Sequence, residues 1–282
     1  MEKILCLNLW GLKIMTFKEW LNNPSLDQNL SIGCLGQSGY VLKKNETTIL
    51  IDPYLTDYIS HPDGLNDPKM QRRFPPVISP SEIQTVDAIL CTHAHGDHMD
   101  PWTLENIDSP FNLYCSEAAY RQSSLHFNED KLFFLELEET ITINNFQITS
   151  IPAAHYDKSD KNGNPDCLSF LISVDEKKLF FWGDGIPYGG LIDRLAPIAF
   201  DLFFAPINGR DWFREKEGIV GNMNSRELAE ICGKLKIDTV IPNHFDMFDY
   251  NSEIPSHFLN YLNQFCPNQK VKILNHDEII TI

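Results

Sequence analysis

The sequence predicts an α/β protein in which two β-sheets pack face to face and helices cover their outer sides. Three observations carry that reading. Short apolar, β-branched runs outnumber helical ones. Many of them succeed one another directly, which does not suit a simple alternating βαβ array. The 282 residues also contain no internal repeat, no low-complexity tract and no linker rich in Gly, Ser or Pro. One domain over residues 1–282 is expected, with residues 1–30 as an N-terminal extension and helix.

The strand-like runs, in order, are TTILI (47–51), VDAILCT (86–92), FQITSIP (146–152), CLSFLISV (167–174), KLFFWG (178–183), DLFFAPI (201–207) and DTVIP (238–242). In residues 224–236, Leu228, Ile231, Cys232 and Leu235 recur at helical spacing, and Asn224 with Glu227 resembles a capping box. Phe258, Tyr261, Leu262 and Phe265 mark a second helix, and SEAAYRQSS (116–124) a third, weaker one. Residues 54–82 hold many turn formers and little periodicity; loops that long in a compact domain are usually functional or mobile.

The start, MEKILCLNLWGLKIM, has one lysine and then an apolar run broken by Asn8, Gly11 and Lys13, with no small-residue cleavage site after it. A cytoplasmic protein is expected, with residues 1–14 outside the core. No stretch approaches the roughly 18 to 20 apolar residues that cross a membrane, so no membrane partner is expected. The seven cysteines are scattered, without a C-x-x-C pair, and read as small buried hydrophobes kept reduced. The formal net charge is −16, and Lys and Arg cluster no further than short pairs. That excludes nucleic acid as a partner and leaves a small-molecule substrate, which local arginines can hold even if it is phosphorylated. A homo-oligomer stays open.

The sharpest feature is Thr92-His93-Ala94-His95-Gly96-Asp97-His98, which starts where an apolar strand ends. On a loop at a strand terminus, these side chains can converge on one point instead of alternating across a sheet. Imidazole suits zinc, iron and manganese, and an added carboxylate supports a second cation close by. The same grammar repeats downstream: FQITSIPAA runs into His155, KLFFWG into Asp184, and DTVIPN into His244. Alone, each of these would more often be a structural polar residue.

Taken together, the H-x-H-x-D-H run followed by His, Asp and His resembles the metallo-β-lactamase-fold hydrolases, over roughly residues 30 to 250. The resemblance implies a four-layer αββα sandwich. It implies that His93, His95 and His155 bind one divalent metal ion, that Asp97, His98 and His244 bind another, and that Asp184 bridges them. Zinc or manganese would fill both positions, with Asp97 and Asp184 as the catalytic carboxylates. Asp52, in IDPYL, is implied to brace the metal-binding loop; read from the residues alone, it is equally an Asp-Pro turn.

GCLGQSGYVLK (33–43), IDPYLTD (51–57), RRFPPVI (72–78), GDGIPY (183–188), PINGRDWF (206–213) and IPNHFDMF (241–248) are similar to the L-ascorbate-6-phosphate lactonase branch of that superfamily. The activity implied is lactone hydrolysis on a small anionic or phosphorylated cyclic ester, by a hydroxide shared between two cations. A phosphodiesterase acting on a small nucleotide or lipid head-group is the alternative. A di-iron oxygen reductase would carry Glu where this chain has His95, and a non-catalytic relative would have lost ligands. Arg210, then Arg214, and Tyr188 are the candidate substrate-binding residues, with Arg72 and Arg73 behind them. For Arg210 the competing reading is an ion pair with a neighbouring acid such as Asp211 or Glu215. His61, His126, His257 and His276 read as surface residues.

Overall fold

The computed structural model describes residues 5–6, 13–23, 28–155 and 165–282. Most of the expected 1–14 extension lies outside them; within it, β1 (Leu5–Cys6) and β2 (Lys13–Ile14) pair antiparallel. The first large sheet is built from β3 (Ser31–Gly36), β4 (Gly39–Lys44), β5 (Thr47–Ile51), β6 (Ala88–Leu90), β7 (Asn112–Cys115) and β8 (Leu132–Phe134). The second holds β9 (Thr140–Ile143), β10 (Phe146–Pro152), β11 (Leu168–Val174), β12 (Lys177–Phe181), β13 (Ala199–Pro206), β14 (Lys236–Asn243) and β15 (Lys270–Val271). The C-terminal β16 (Ile279–Thr281) returns to the first sheet and pairs with β3.

Both sheets follow one plan. In the order β16-β3-β4-β5-β6-β7-β8, pairing is antiparallel as far as β5 and parallel beyond it. In the order β9-β10-β11-β12-β13-β14-β15, it is antiparallel as far as β12 and parallel beyond it. β5 and β12 therefore occupy equivalent places. β3 and β6 run in the same direction as β5, and β10 and β14 in the same direction as β12, so the chain leaves these strands at one edge of each sheet.

Side-chain alternation sorts three cores. Ile49 and Ile51 of β5 face inward with Leu179 and Phe181 of β12 and Leu202 and Phe204 of β13, filling the space between the sheets. Phe181 and Phe204 stack with ring centroids 4.3 Å apart. Leu50 and Ile89 face outward against α1 (Phe17–Leu21), α2 (Pro101–Glu105) and α3 (Glu117–Gln122). Phe180, Phe203 and Val240 face the other way, against α4 (Leu191–Leu195), α6 (Ser225–Cys232) and α7 (Pro255–Phe265); α5 (Trp212–Lys216) contributes no buried residue. The result is the expected αββα sandwich. The capping box is present at α6, where Asn224 accepts from Glu227 N and Glu227 accepts from Asn224 N.

Some expectations shorten. The 86–92 strand keeps only Ala88–Leu90, because residues beyond it turn into the histidine loop. The 54–82 segment contains two short 3-10 turns, Pro68–Met70 and Pro80–Glu82. Among the described residues no helix is long and apolar enough to cross a membrane. Cys34, Cys91, Cys115, Cys167 and Cys232 are buried and form no disulfide.

Candidate metal centre

The strand exits deliver their side chains to one place. His93, His95, His155 and Asp184 form one group and Asp97, His98 and His244 a second; within each, one donor atom per residue lies within 4.8 Å of the others. Asp184 lies between them. Its Oδ1 is 3.3 Å from His98 Nε2, and its Oδ2 is 3.2 Å from His244 Nε2 and 3.8 Å from His155 Nε2. All seven residues read from the sequence are brought together.

Local backbone explains the convergence. After β6 the chain turns tightly, and His95 O accepts from both His98 N (2.9 Å) and Met99 N (2.8 Å). Asp52 leaves β5 with φ +44° and turns its carboxylate across to this loop. One oxygen accepts from Thr92 N at 2.7 Å; the other accepts from Thr92 Oγ1 at 2.7 Å and from His98 Nδ1 at 2.7 Å. The last contact puts the proton on His98 Nδ1 and aims the Nε2 lone pair into the centre. Before Asp184, Gly183 has φ +68°, and a Cβ there would lie 2.7 Å from Thr92 Cγ2. Only glycine lets these two loops approach so closely.

Electrostatics divides the groups. Burial pushes His93, His95 and His155 down, His155 to about 4, so these three imidazoles are neutral near pH 7 with a lone pair to give. Burial also pushes His244 and His98 down, but the carboxylates outweigh it. His244 rises to about 9 beside Asp184 and Asp97, and His98 rises well above its ordinary value beside Asp184, Asp52 and Asp97. Asp97 and Asp184 are raised by burial and drawn lower still by His98 and His244, ending below the usual carboxylate range. The second group therefore demands positive charge. A divalent cation would meet that demand, with the imidazoles binding it in their deprotonated form.

The donors fit a metal. His93 Nε2, His98 Nε2, both ring nitrogens of His155 and Asp184 Oδ1 are buried without a hydrogen-bond partner. An orphaned buried polar atom costs about 1–3 kcal/mol; several converging on one centre are accounted for by cation coordination. The set is imidazole and carboxylate with no thiolate, which suits zinc, manganese or iron.

One residue of the centre was not legible in the sequence. Gln37, in the turn between β3 and β4, reaches Asp97 Oδ2 (2.7 Å) and His244 Nε2 (2.9 Å) through its side-chain amide. Its sole signal was a polar residue inside GQSG at the end of an apolar run, and no rule of metal ligation singles out glutamine.

The candidate substrate residues are engaged within the protein. Arg210 forms a two-pronged pair with Glu227 at 2.8 and 2.6 Å and also donates to Asn222 O at 2.9 Å. Glu227 is thus an acidic partner that lies further along the chain than the neighbouring Asp211 and Glu215. Arg214 Nε pairs with Asp211 at 2.5 Å, and its Nη1 donates to Asn251 Oδ1 at 2.8 Å. Tyr188 OH donates to Pro152 O at 2.6 Å. Arg72 donates to Tyr54 O and Thr56 O, and Arg73 pairs with Asp249. Of the remaining histidines, His126 and His257 are exposed, while His61 packs edge-on against Trp102 and His276 stacks on Phe74.

Comparison with known proteins agrees with this geometry. Residues 47–245 match the family model described as "Beta-lactamase superfamily domain". The chain is 27% identical over 259 residues to a UPF0173 metal-dependent hydrolase from Methanobrevibacter smithii, covering 88% of this chain and 95% of that one. It is 25% identical over 228 residues to a UPF0173 metal-dependent hydrolase from Pyrococcus abyssi, covering 79% and 88%. Among solved structures, the metallo-beta-lactamase fold protein YhfI from Bacillus subtilis superposes with a TM-score of 0.63 at 16% identity, covering 89% and 99%. An isothiocyanate hydrolase from Delia radicum gut bacteria superposes with a TM-score of 0.68 at 15% identity, covering 89% and 99%. The last two are likenesses of fold.

Proposed function

Since the chain belongs to the beta-lactamase superfamily, we propose that it is a metal-dependent hydrolase that holds two divalent cations and opens a small anionic cyclic ester. The observation that carries the reading is the convergence of five imidazoles and two carboxylates, several of their donor atoms buried and unpartnered. His93, His95 and His155 hold one cation, Asp97, His98 and His244 the other, and Asp184 spans both. The choice of a lactone, L-ascorbate 6-phosphate being the type of molecule meant, rests on the motif resemblance.

When bound, the cations supply Lewis acidity, acidifying water and polarising the scissile carbonyl. The side chains do the rest. His93, His95 and His155 enter as neutral donors, so no proton has to leave them first. Asp52 fixes His98 through Nδ1, and Thr92 fixes Asp52, so the loop does not reorganise during turnover. Asp184, with Oδ1 toward His98 and Oδ2 toward His244 and His155, orients the attacking water and relays its proton to the departing alkoxide. Neither a serine nor a cysteine nucleophile is needed.

The test is a panel of lactones, each phosphorylated and unphosphorylated, run beside phosphodiesters after reconstitution with Mn²⁺ or Zn²⁺. Metal-dependent turnover concentrated on the phosphorylated lactones supports the proposal. Turnover confined to phosphodiesters would replace it with a phosphodiesterase.

A further inference from the structure

We propose that Gln37 is a ligand of the second cation, donating its side-chain carbonyl oxygen alongside Asp97, His98 and His244. The inference rests on the two-cation reading above and adds a residue to it.

Gln37 is 3% exposed and has φ +56°. Its position follows from topology: β3 runs in the same direction as β5, so the β3 exit lies at the edge where Asp52 and the histidine loop emerge. Its backbone is tied to the centre, because Gln37 O accepts from His244 N at 3.2 Å. Its side chain ends between two donors of one group, with the atom assigned as Nε2 lying 2.7 Å from Asp97 Oδ2 and 2.9 Å from His244 Nε2. Two donors at right angles on a cation with bonds of about 2.1 Å stand about 3 Å apart. The tip of Gln37 has that spacing from both neighbours. The other amide atom, Oε1, is buried with no partner.

The two ends of a carboxamide have the same shape, so which is oxygen follows from the surroundings. Without a cation, the NH₂ faces Asp97. With a cation between Asp97 and His244, a half-turn of the amide presents oxygen to it. That exchange leaves one amide atom unpartnered in either state and gains a metal bond. The second cation then has oxygens from Asp97, Asp184 and Gln37 beside two imidazoles, whereas the first has three imidazoles and one carboxylate. An oxygen-rich set with more than four donors favours a hard ion such as Mn²⁺ over tetrahedral Zn²⁺.

Two variants test this. Gln37→Leu removes the oxygen, and Gln37→Glu replaces it with a charged one of the same length. Metal-free protein is titrated with Mn²⁺ by calorimetry, and the cobalt-loaded protein is read by visible absorption. Wild type is expected to take up two equivalents. Gln37→Leu should keep the first and weaken the second tenfold or more, with a more intense cobalt band as the coordination number falls. Gln37→Glu should retain or tighten the second and keep the wild-type band. A Gln37→Leu protein that binds both equivalents as wild type does would overturn the proposal. So would one whose affinity falls while its cobalt spectrum stays unchanged, because the amide would then act only by holding Asp97. Wild type taking up a single equivalent would be a different failure, that of the two-cation reading itself.

Discussion

Asp52 and His98 form a buried pair in which the carboxylate Oδ2 lies 2.7 Å from the imidazole Nδ1. The two residues leave adjacent strands, β5 and β6, so the contact ties the histidine loop to the centre of the first sheet. Asp184 leaves β12, the counterpart of β5 in the second sheet. The centre thus has one aspartate from equivalent strands of each sheet, one bracing a histidine and one facing both donor groups.

Asp52→Ala should weaken binding of the second cation by about 10–100-fold, the usual consequence of losing a carboxylate behind a ligating histidine. The first equivalent should change less, because Asp52 touches none of His93, His95 and His155 directly and reaches only His93, through Thr92. Competition against a chromophoric chelator reads both constants. Equal weakening of both equivalents would mean that Asp52 supports the whole fold and not His98.

Asp184→Asn should cut kcat by at least about a hundredfold, since the amide can neither balance the charge of two cations nor carry a proton between water and leaving group. Turnover is compared at matched metal content, measured by elemental analysis. Near-normal kcat at full occupancy would remove Asp184 from the reaction.

Gly183→Ala should destabilise the protein by about 1–3 kcal/mol, the cost of a strained non-glycine backbone at φ +68°, with the collision against Thr92 added to it. Urea unfolding measures the loss. Because Thr92 also holds Asp52, metal affinity should fall in the same variant. A variant with unchanged stability and metal uptake would show that the two loops have slack.

Arg210→Ala should lose stability in a pH-dependent way. Burial pushes Glu227 up, but Arg210 and the Asn224 amide outweigh it, leaving the Glu227 carboxyl below its ordinary value of 4.5. A depressed carboxyl adds stability that is complete above 4.5 and fades as pH falls through its folded value. The gap in unfolding free energy between wild type and variant should be present at pH 7 and should shrink as the pH falls below 4.5. The pairing also predicts equal changes in kcat/KM on phosphorylated and unphosphorylated substrates. A loss confined to the phosphorylated one would place Arg210 against the substrate.

The long inward strands and the metal-facing residues were legible because each carries a strong pattern. Val/Ile/Phe-rich runs such as KLFFWG and DLFFAPI fit strands buried on both faces, and KLFFWG runs into Asp184 as DTVIPN runs into His244. The first hairpin, β3 and β4, was not legible as strands. Its glycines dilute the apolar pattern, and at least one of them serves a neighbour: a Cβ on Gly33 would sit 2.6 Å from the Trp20 ring. Helices of five residues, such as α2 and α4, span too little chain to show a 3.6-residue period. Arg210 was misleading for another reason. The sequence shows that it lies near acids, while the partner it takes is Glu227, a capping residue of α6 whose distance from it is set by tertiary packing.

The most direct test of the dinuclear centre is anomalous diffraction at the metal edge, on crystals of protein reconstituted with Mn²⁺ or Zn²⁺. Two peaks are predicted within about 4 Å of each other. One should be bounded by His93, His95 and His155, the other by Asp97, His98 and His244, with Asp184 touching both. No peak among these residues, or a single peak with Asp97 and His244 turned away from it, would contradict the account.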